Sequence, residues 1–304
     1  MQNRYLSLRR QARRAHRREA SPVSPYRPAS RRSRPEFIHT LLRIRKRLSL
    51  LAEIAQQLGA TTRSKHKLLG GGFWLLLNDA GKTRFHFTST LRKFNQRFDF
   101  QFEDFADFFT LWEVFVVDEY HLQLPREPRV ILDLGSNIGL SILYFRLRYP
   151  QAKIYGVEPD YNNFRRLSAV VQPLTDAQAY QLAVADTDGR IPFYVDPHRG
   201  QSSSNVQRAA RQRCMEVESR TLDTLIQELG LDQIDLIKFD IEGAEMQVFD
   251  SFSRLASVQY YIGEFHKDGQ AWRPEDFVAL FKASHHVTIT EVGLDRYRIV
   301  ASKR

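Results

Sequence analysis

Short apolar runs alternate with helix-spaced stripes through the second half of the chain. Val130–Leu134, Lys153–Glu158, Ala177–Val184, Ile234–Asp240 and Val258–His266 have strand length and the near-continuous hydrophobicity of strands buried on both faces. Between them, Leu140, Leu143, Tyr144 and Leu147 recur at helical spacing, as do Leu222, Leu225, Ile226 and Leu229 between Thr221 and Gly230. Asp160–Val171 and Pro274–Ala283 predict two more helices, and Arg190–Val195 and Cys214–Ser219 two more strands. His286–Val292 and Tyr297–Ala301, separated by Gly293–Asp295, predict a closing antiparallel hairpin. Strands and helices in such alternation imply an α/β fold around a mostly parallel sheet.

The first half reads differently. Phe37–Leu58 carries Leu41, Leu48, Leu51, Ile54, Ala55 and Leu58 at helical spacing with bases between them, and stops at Gly59. Gly70–Asn78 and Asp79–Phe87 predict a β-hairpin turning near Ala80–Gly81. Glu103–Leu122 is dense in Phe and Trp and predicts a helix packing its aromatic face on the main sheet; Pro125 and Pro128 mark entry to the next domain. The polar loop Asp196–Arg208 reads as a substrate-facing lid or as a plain long connection. The division expected is a tail at 1–36, an accessory α+β extension at 37–125, and the main domain at 126–304.

Charge separates the tail from the body. Residues 1–47 hold 15 Lys and Arg against Glu19 and Glu36, so the net +10 of the 304 residues belongs to this end and the remainder is slightly acidic. Paired arginines among Ser, Ala and Pro predict disorder to about Pro35. Such a tail reads as solvated, as a handle for a polyanion or an anionic membrane, or as an organelle transit peptide; the first is preferred, with a cytoplasmic location expected. A hydrophobic content of 42% fits a soluble domain, and Phe73–Leu77 is too short to span a membrane. The single cysteine, Cys214, excludes an intrachain disulfide framework and a cysteine-rich zinc site.

Candidate chemistry gathers where the strands end. Asp133-Leu-Gly-Ser-Asn-Ile-Gly139 is a glycine turn between a buried strand and a helix, the place where open α/β sheets bind nucleotide-like ligands. Between Gly135 and Gly139 stand Ser136, Asn137 and Ile138, so neither G-x-G-x-x-G nor a Walker lysine is present. That disfavours an NAD-dependent oxidoreductase, and suits a ribose with an amino-acid tail better than a pyrophosphate. Glu158, followed by Pro159, closes the next strand, where a carboxylate accepts both hydroxyls of a ribose. Together these predict S-adenosylmethionine binding, with Asp133, Gly135, Ser136, Asn137 and Gly139 at the methionine tail and turn, Glu158 at the ribose, and Ala183 and Val184 beside the adenine.

With these motifs in view, the chain resembles the FkbM family of methyltransferases over about residues 128–270. The resemblance rests on Asp133–Gly139, Val157-Glu-Pro159, Ala183–Asp186 with Gly189, Arg220-Thr-Leu-Asp223, Ile234–Glu245 and Glu264-Phe-His266; Lys238-Phe-Asp-Ile-Glu-Gly-Ala-Glu245 is its most discriminating part. It implies a Rossmann-like class I methyltransferase fold: a mostly parallel seven-stranded sheet with an antiparallel C-terminal hairpin. It further implies O-methylation of a hydroxyl on a sugar, glycolipid or natural product, so that a hydroxylated small molecule or glycan is the expected partner.

His266, Asp240, Glu264 and Glu242 gather where the acceptor arrives. His266 is the first choice for the base, since its ordinary pKa is nearest neutrality, and Asp240 the second. The same cluster offers oxygen and imidazole ligands to a divalent cation, but the metal-free reading is preferred. The competing function is a nucleic-acid or membrane-surface binding protein with a degenerate cofactor pocket, motivated by the basic tail and opposed by the intact turn.

Overall fold

The computed structural model describes residues 34–78, 85–195, 203–204, 213–267 and 272–304. Residues 1–33 of the tail expected at 1–36, the turn expected near Ala80–Gly81, and the loop 196–208 apart from Ser203–Ser204 lie outside the described residues, while Arg34–Glu36 already belong to the first helix. The chain divides into two units, Met1–Arg45 and Lys46–Arg304, and the site lies within the second.

Helix α1 (Arg34–Leu58) buries Leu51, Ile54, Ala55 and Leu58, the C-terminal part of the stripe its spacing predicts, while Leu41 and Leu48 are exposed. The first correction follows it. Thr62–Leu77 is a helix, α2, not the first arm of a hairpin. A reciprocal cap starts it: Thr61 Oγ1 accepts the Ser64 N–H at 3.1 Å, and Ser64 Oγ accepts the Thr61 N–H at 2.7 Å. The glycine run is tolerated because the helix is closely approached there. A Cβ on Gly71 would stand 2.4 Å from the Phe87 ring, and one on Gly72 would stand 2.4 Å from Leu51. The hairpin is the next pair, β1 (Phe87–Lys93) and β2 (Gln96–Phe102), joined by Phe94 and Asn95 at φ 50° and 60°. Two consecutive positive φ values match the twist of a two-residue hairpin turn.

The aromatic stretch is helical over a shorter range than its composition suggests. Helix α3 (Ala106–Leu111) runs into a π-helical turn at Trp112–Val117, which Asp118 closes in the left-handed region. Phe105, Phe108, Leu111 and Phe115 are buried. Asp107, itself buried, receives both Arg166 Nη1 and Nη2 at 2.8 Å, tying this segment to the later helix α5.

The main sheet follows in chain order: β3 (Val130–Leu134), α4 (Leu140–Arg148), β4 (Lys153–Val157), α5 (Tyr161–Val171) and β5 (Ala177–Tyr180). Ala183–Val184 is a separate strand, β6, rather than the continuation of β5. It leaves the main sheet to pair with β9, joining β7 (Gly189–Val195), β8 (Ser203–Ser204) and β9 (Arg213–Arg220) in a four-stranded sheet. Then come α6 (Leu222–Glu228), β10 (Leu236–Phe239), α7 (Glu245–Asp250), β11 (Tyr260–His266), α8 (Pro274–Phe281), β12 (His285–Gly293) and β13 (Arg296–Lys303). The seven strands lie in the order β12-β13-β11-β10-β3-β4-β5. Pairing is parallel from β11 to β5 and antiparallel at β11–β13 and β13–β12.

Strand periodicity divides the core between two faces. Ile131, Ile154, Leu236 and Ile262 pack with α4, α5 and the aromatic N-terminal elements. Leu132, Ile237, Phe239, Tyr261 and Phe265 pack on the opposite side with α6, α7 and α8. The core of the first face continues across Pro125 without a break. The carboxyl ends of β3, β4, β10 and β11 consequently share one edge, with the π-helical segment beside it.

Candidate active site

Asp133 and Lys238 anchor that edge. They are directly opposed in the parallel register of β3 and β10 and point to the same face. Both are buried, with Nζ 2.9 Å from Asp133 Oδ1. Lys238 also donates to the carbonyl oxygens of Gly135, at 2.7 Å, and Leu134, at 3.4 Å. The second Asp133 oxygen accepts Ser141 Oγ at 2.5 Å from α4. Tyr120 lays its ring 5.5 Å from Nζ. Burial alone would lower the lysine pKa, but Asp133 and then Asp240 raise it, so the side chain stays charged. Asp133 thus holds the turn from behind and lines neither neighbouring cavity.

The turn itself needs glycine. Gly135 has φ +76°, and a Cβ there would fall 2.0 Å from the Asp240 carbonyl oxygen. Asn137, at φ 49°, uses the left-handed tolerance of its residue type. Its N–H donates to Glu158 Oε2 at 2.9 Å, while Oε1 accepts the Asp160 N–H at 2.9 Å. Asp160 caps α5 through the N–H groups of Asn162 and Asn163, both at 2.9 Å. Burial, and secondarily Asp160, pushes Glu158 up to about 7, against the lowering effect of those backbone donors.

Two cavities meet at Gly135, Asn137, Asp240 and Glu242. The first, about 600 Å³, is lined by Glu158 and Asn163 on one side and by Leu182, Ala183, Val184 and Phe193 on the other. The second, about 840 Å³, is bounded by Ser136, Glu113, Glu119, Tyr120, Glu264 and Arg296. Of the residues expected to hold a cofactor, Gly135, Asn137, Glu158, Ala183 and Val184 line the first cavity and Ser136 the second. Asp133 and Gly139 line neither. Gly139, at φ +89°, instead begins α4 and packs close to Leu167 and Val170.

Asp240, Glu242, Glu264 and His266 come together as expected. His266 Nε2 faces Glu264 Oε2 at 3.5 Å and one oxygen each of Asp240 and Glu242 at 3.8 Å. Its Nδ1 meets buried Glu245 at 2.9 Å, and both Glu245 oxygens accept the Gly243 N–H, at 3.1 and 3.0 Å. Burial would lower the imidazole pKa, but Glu245, Glu264 and Asp240 raise it well above the usual value.

Glu113, Glu119 and Lys238, which line the second cavity, escape the sequence reading. Glu113 lines the second cavity from the π-helical segment and Glu119 from the turn after it, pushed up to about 7 and about 8, in each case first by burial and next by a neighbouring glutamate. A helix broken by a π turn leaves no periodic trace. Lys238 did leave one, being a charge inside an apolar strand.

Glycine turn, acid-tipped second strand and reversed last strand define a Rossmann-like class I methyltransferase. The methyltransferase FkbM domain matches residues 133–287, half of the chain, and the chain belongs to that family. Methyltransferase sdnD of Sordaria araneosa is 32% identical over 169 residues, 45% of this chain and 65% of its own length. The 2-O-methyltransferase NoeI of Sinorhizobium fredii is 31% identical over 140 residues, 41% of this chain and 58% of its own. Hexuronic acid methyltransferase AglP of Haloferax volcanii is 23% identical over 192 residues, 60% and 74% of the two chains. The chain spans less than two thirds of the first two relatives. Among the described residues, no helix is long and apolar enough to cross a membrane.

Proposed function

We propose that the chain is an S-adenosylmethionine-dependent O-methyltransferase acting on a hydroxyl of a sugar, glycolipid or natural product. The observation that carries this is the junction of the two cavities at Gly135, Asn137 and Asp240, one clasped by Glu158 and the other walled by carboxylates. The residues present fit the donor. The turn leaves no room for a Cβ at Gly135, and Asn137 Oδ1 is buried without a hydrogen-bond partner. Glu158 retains lone pairs for ribose hydroxyls beyond its two backbone donors. The apolar wall of Leu182, Ala183, Val184 and Phe193 suits the face of an adenine.

Bound there, S-adenosylmethionine supplies a methyl group already activated on a sulfonium. What remains for the protein is to hold the acceptor oxygen in line and take its proton, and alignment of this kind is worth about 7–11 kcal/mol. Asp240, Glu242 and Glu264 face the second cavity. A carboxylate of this group receives the proton released by the hydroxyl. The names of two relatives support this reading, a 2-O-methyltransferase for transfer to oxygen and a hexuronic acid methyltransferase for a sugar-type acceptor.

The test is a screen of hydroxylated glycans, lipids and metabolites with a donor bearing a radiolabelled methyl group. Alkali-stable label on a hydroxyl-bearing acceptor, as in a methyl ether, is the expected result. Label found only as an alkali-labile carboxyl ester or on nitrogen would overturn the O-methyl ether reading.

A further inference from the structure

The same wall carries a feature that methyl transfer alone does not require. Asp240, Glu242 and His266 each present a ligand atom, all within 4.8 Å of one another. The distances from His266 Nε2 to Asp240 Oδ1 and Glu242 Oε2, both 3.8 Å, exceed a direct N–H···O bond, at about 2.7–3.2 Å. They fit two ligands of one ion, since atoms each about 2.1 Å from a metal stand roughly 3–4.2 Å apart.

Two further observations point to a ligand. Asp240 Oδ1 is buried with no hydrogen-bond partner, although its carboxylate borders both cavities. His266, only 3% exposed, is aimed at the same point by Glu245, which holds Nδ1 at 2.9 Å and is buried by α7. A carboxylate fixing the far nitrogen of an imidazole is the arrangement that orients metal-bound histidines.

We propose that Asp240, Glu242 and His266 bind a divalent cation of the Mg²⁺ or Mn²⁺ class, which holds the acceptor hydroxyl in the second cavity. The proposal rests on the methyl-transfer reading for its role but not for its existence. Two carboxylates and one imidazole leave positions open for acceptor oxygens, and an oxygen-rich set favours the harder divalent ions. Coordination acidifies the hydroxyl. Its proton passes to Glu264, which adjoins the site at 3.5 Å from His266 Nε2 and lies outside the ligand trio. The oxygen then forms the new C–O bond as the donor's C–S bond breaks, leaving a methyl ether and S-adenosylhomocysteine.

Isothermal titration of the chelator-stripped full chain with MnCl₂ tests the site directly, with S-adenosylhomocysteine titrated in parallel. One saturable Mn²⁺ site is expected, weakened at least tenfold in Asp240→Asn and Glu242→Gln. Glu245→Gln removes no ligand and should weaken it by about 10–100-fold. Each variant is checked for an unchanged circular dichroism spectrum, and the two half-exposed ligands give folded variants if Glu245→Gln does not. Absence of saturable Mn²⁺ binding to millimolar concentration, with S-adenosylhomocysteine still bound, overturns the cation site and spares the donor reading. Equal Mn²⁺ affinity in wild type and all three variants also overturns it. Mn²⁺ bound at these residues without S-adenosylhomocysteine binding supports the cation site and overturns the donor reading.

Discussion

Replacing Lys238 by methionine should lower the unfolding free energy by about 3–5 kcal/mol, the scale on which removal of one partner from a buried ion pair is felt. The side chain fits an apolar site in size, so the loss is electrostatic. Asp133 would be left charged and buried with only Ser141 Oγ to satisfy it, and the carbonyl oxygens of Leu134 and Gly135 would lose their donor. Urea denaturation reads the effect. The double variant Asp133→Asn with Lys238→Met should lose clearly less than the sum of the single losses, because neutralising both partners removes the uncompensated charge. A single variant within about 1 kcal/mol of wild type, where a surface pair would fall, would show that the pair does not hold the turn.

Glu158→Ala should weaken S-adenosylhomocysteine binding by roughly a hundredfold or more. Each ribose hydroxyl donating to an ionised carboxylate is worth ~1.5–3 kcal/mol, and a factor of ten is about 1.4 kcal/mol. The variant also strips the acceptor from the Asn137 and Asp160 N–H groups, so the turn loosens where the ligand meets it. Glu158→Gln, which keeps one oxygen, should fall between. The pH dependence has a definite sign. Burial pushes Glu158 up to about 7, and the ionised form is the better acceptor. Affinity should therefore drop about tenfold from pH 8 to pH 6, a range over which a carboxyl of ordinary pKa stays ionised. The Gln variant should titrate flat. An affinity within threefold of wild type for Glu158→Ala would remove Glu158 from the site.

The sheet was legible because its strands are buried on both faces and its helices on one, so periodicity alone separates them. Val130–Leu134, Lys153–Val157 and Tyr260–His266 lie where apolar runs place them. The errors fall where tertiary contact overrides local preference. Gly70–Gly72 looks like a strand entry, yet Phe87 and Leu51 press so closely on Gly71 and Gly72 that glycine is needed at these two positions inside a helix. Ala183 and Val184 look continuous with β5, but they pair with Ser219 and Arg220 of a distant strand. The site was legible as a set of residues at strand ends, less so as a set of roles. Asp133 and Gly139 support the turn from outside the cavities, because their partners, Lys238 for one and Val170 for the other, are adjacent only in space. The orientation of His266 depends on Glu245, which stands 21 residues earlier in a different element. Glu113 and Glu119 enter from a segment that precedes the family match altogether.

A crystal structure of the chain grown with S-adenosylhomocysteine is the most direct test. The adenosine should lie between the Gly135–Asn137 turn and Ala183–Val184, with both ribose hydroxyls on Glu158 and the thioether sulfur directed toward Asp240. Adenosine bound in any other part of the molecule, with the cavity beside Glu158 filled only by solvent, would contradict the account.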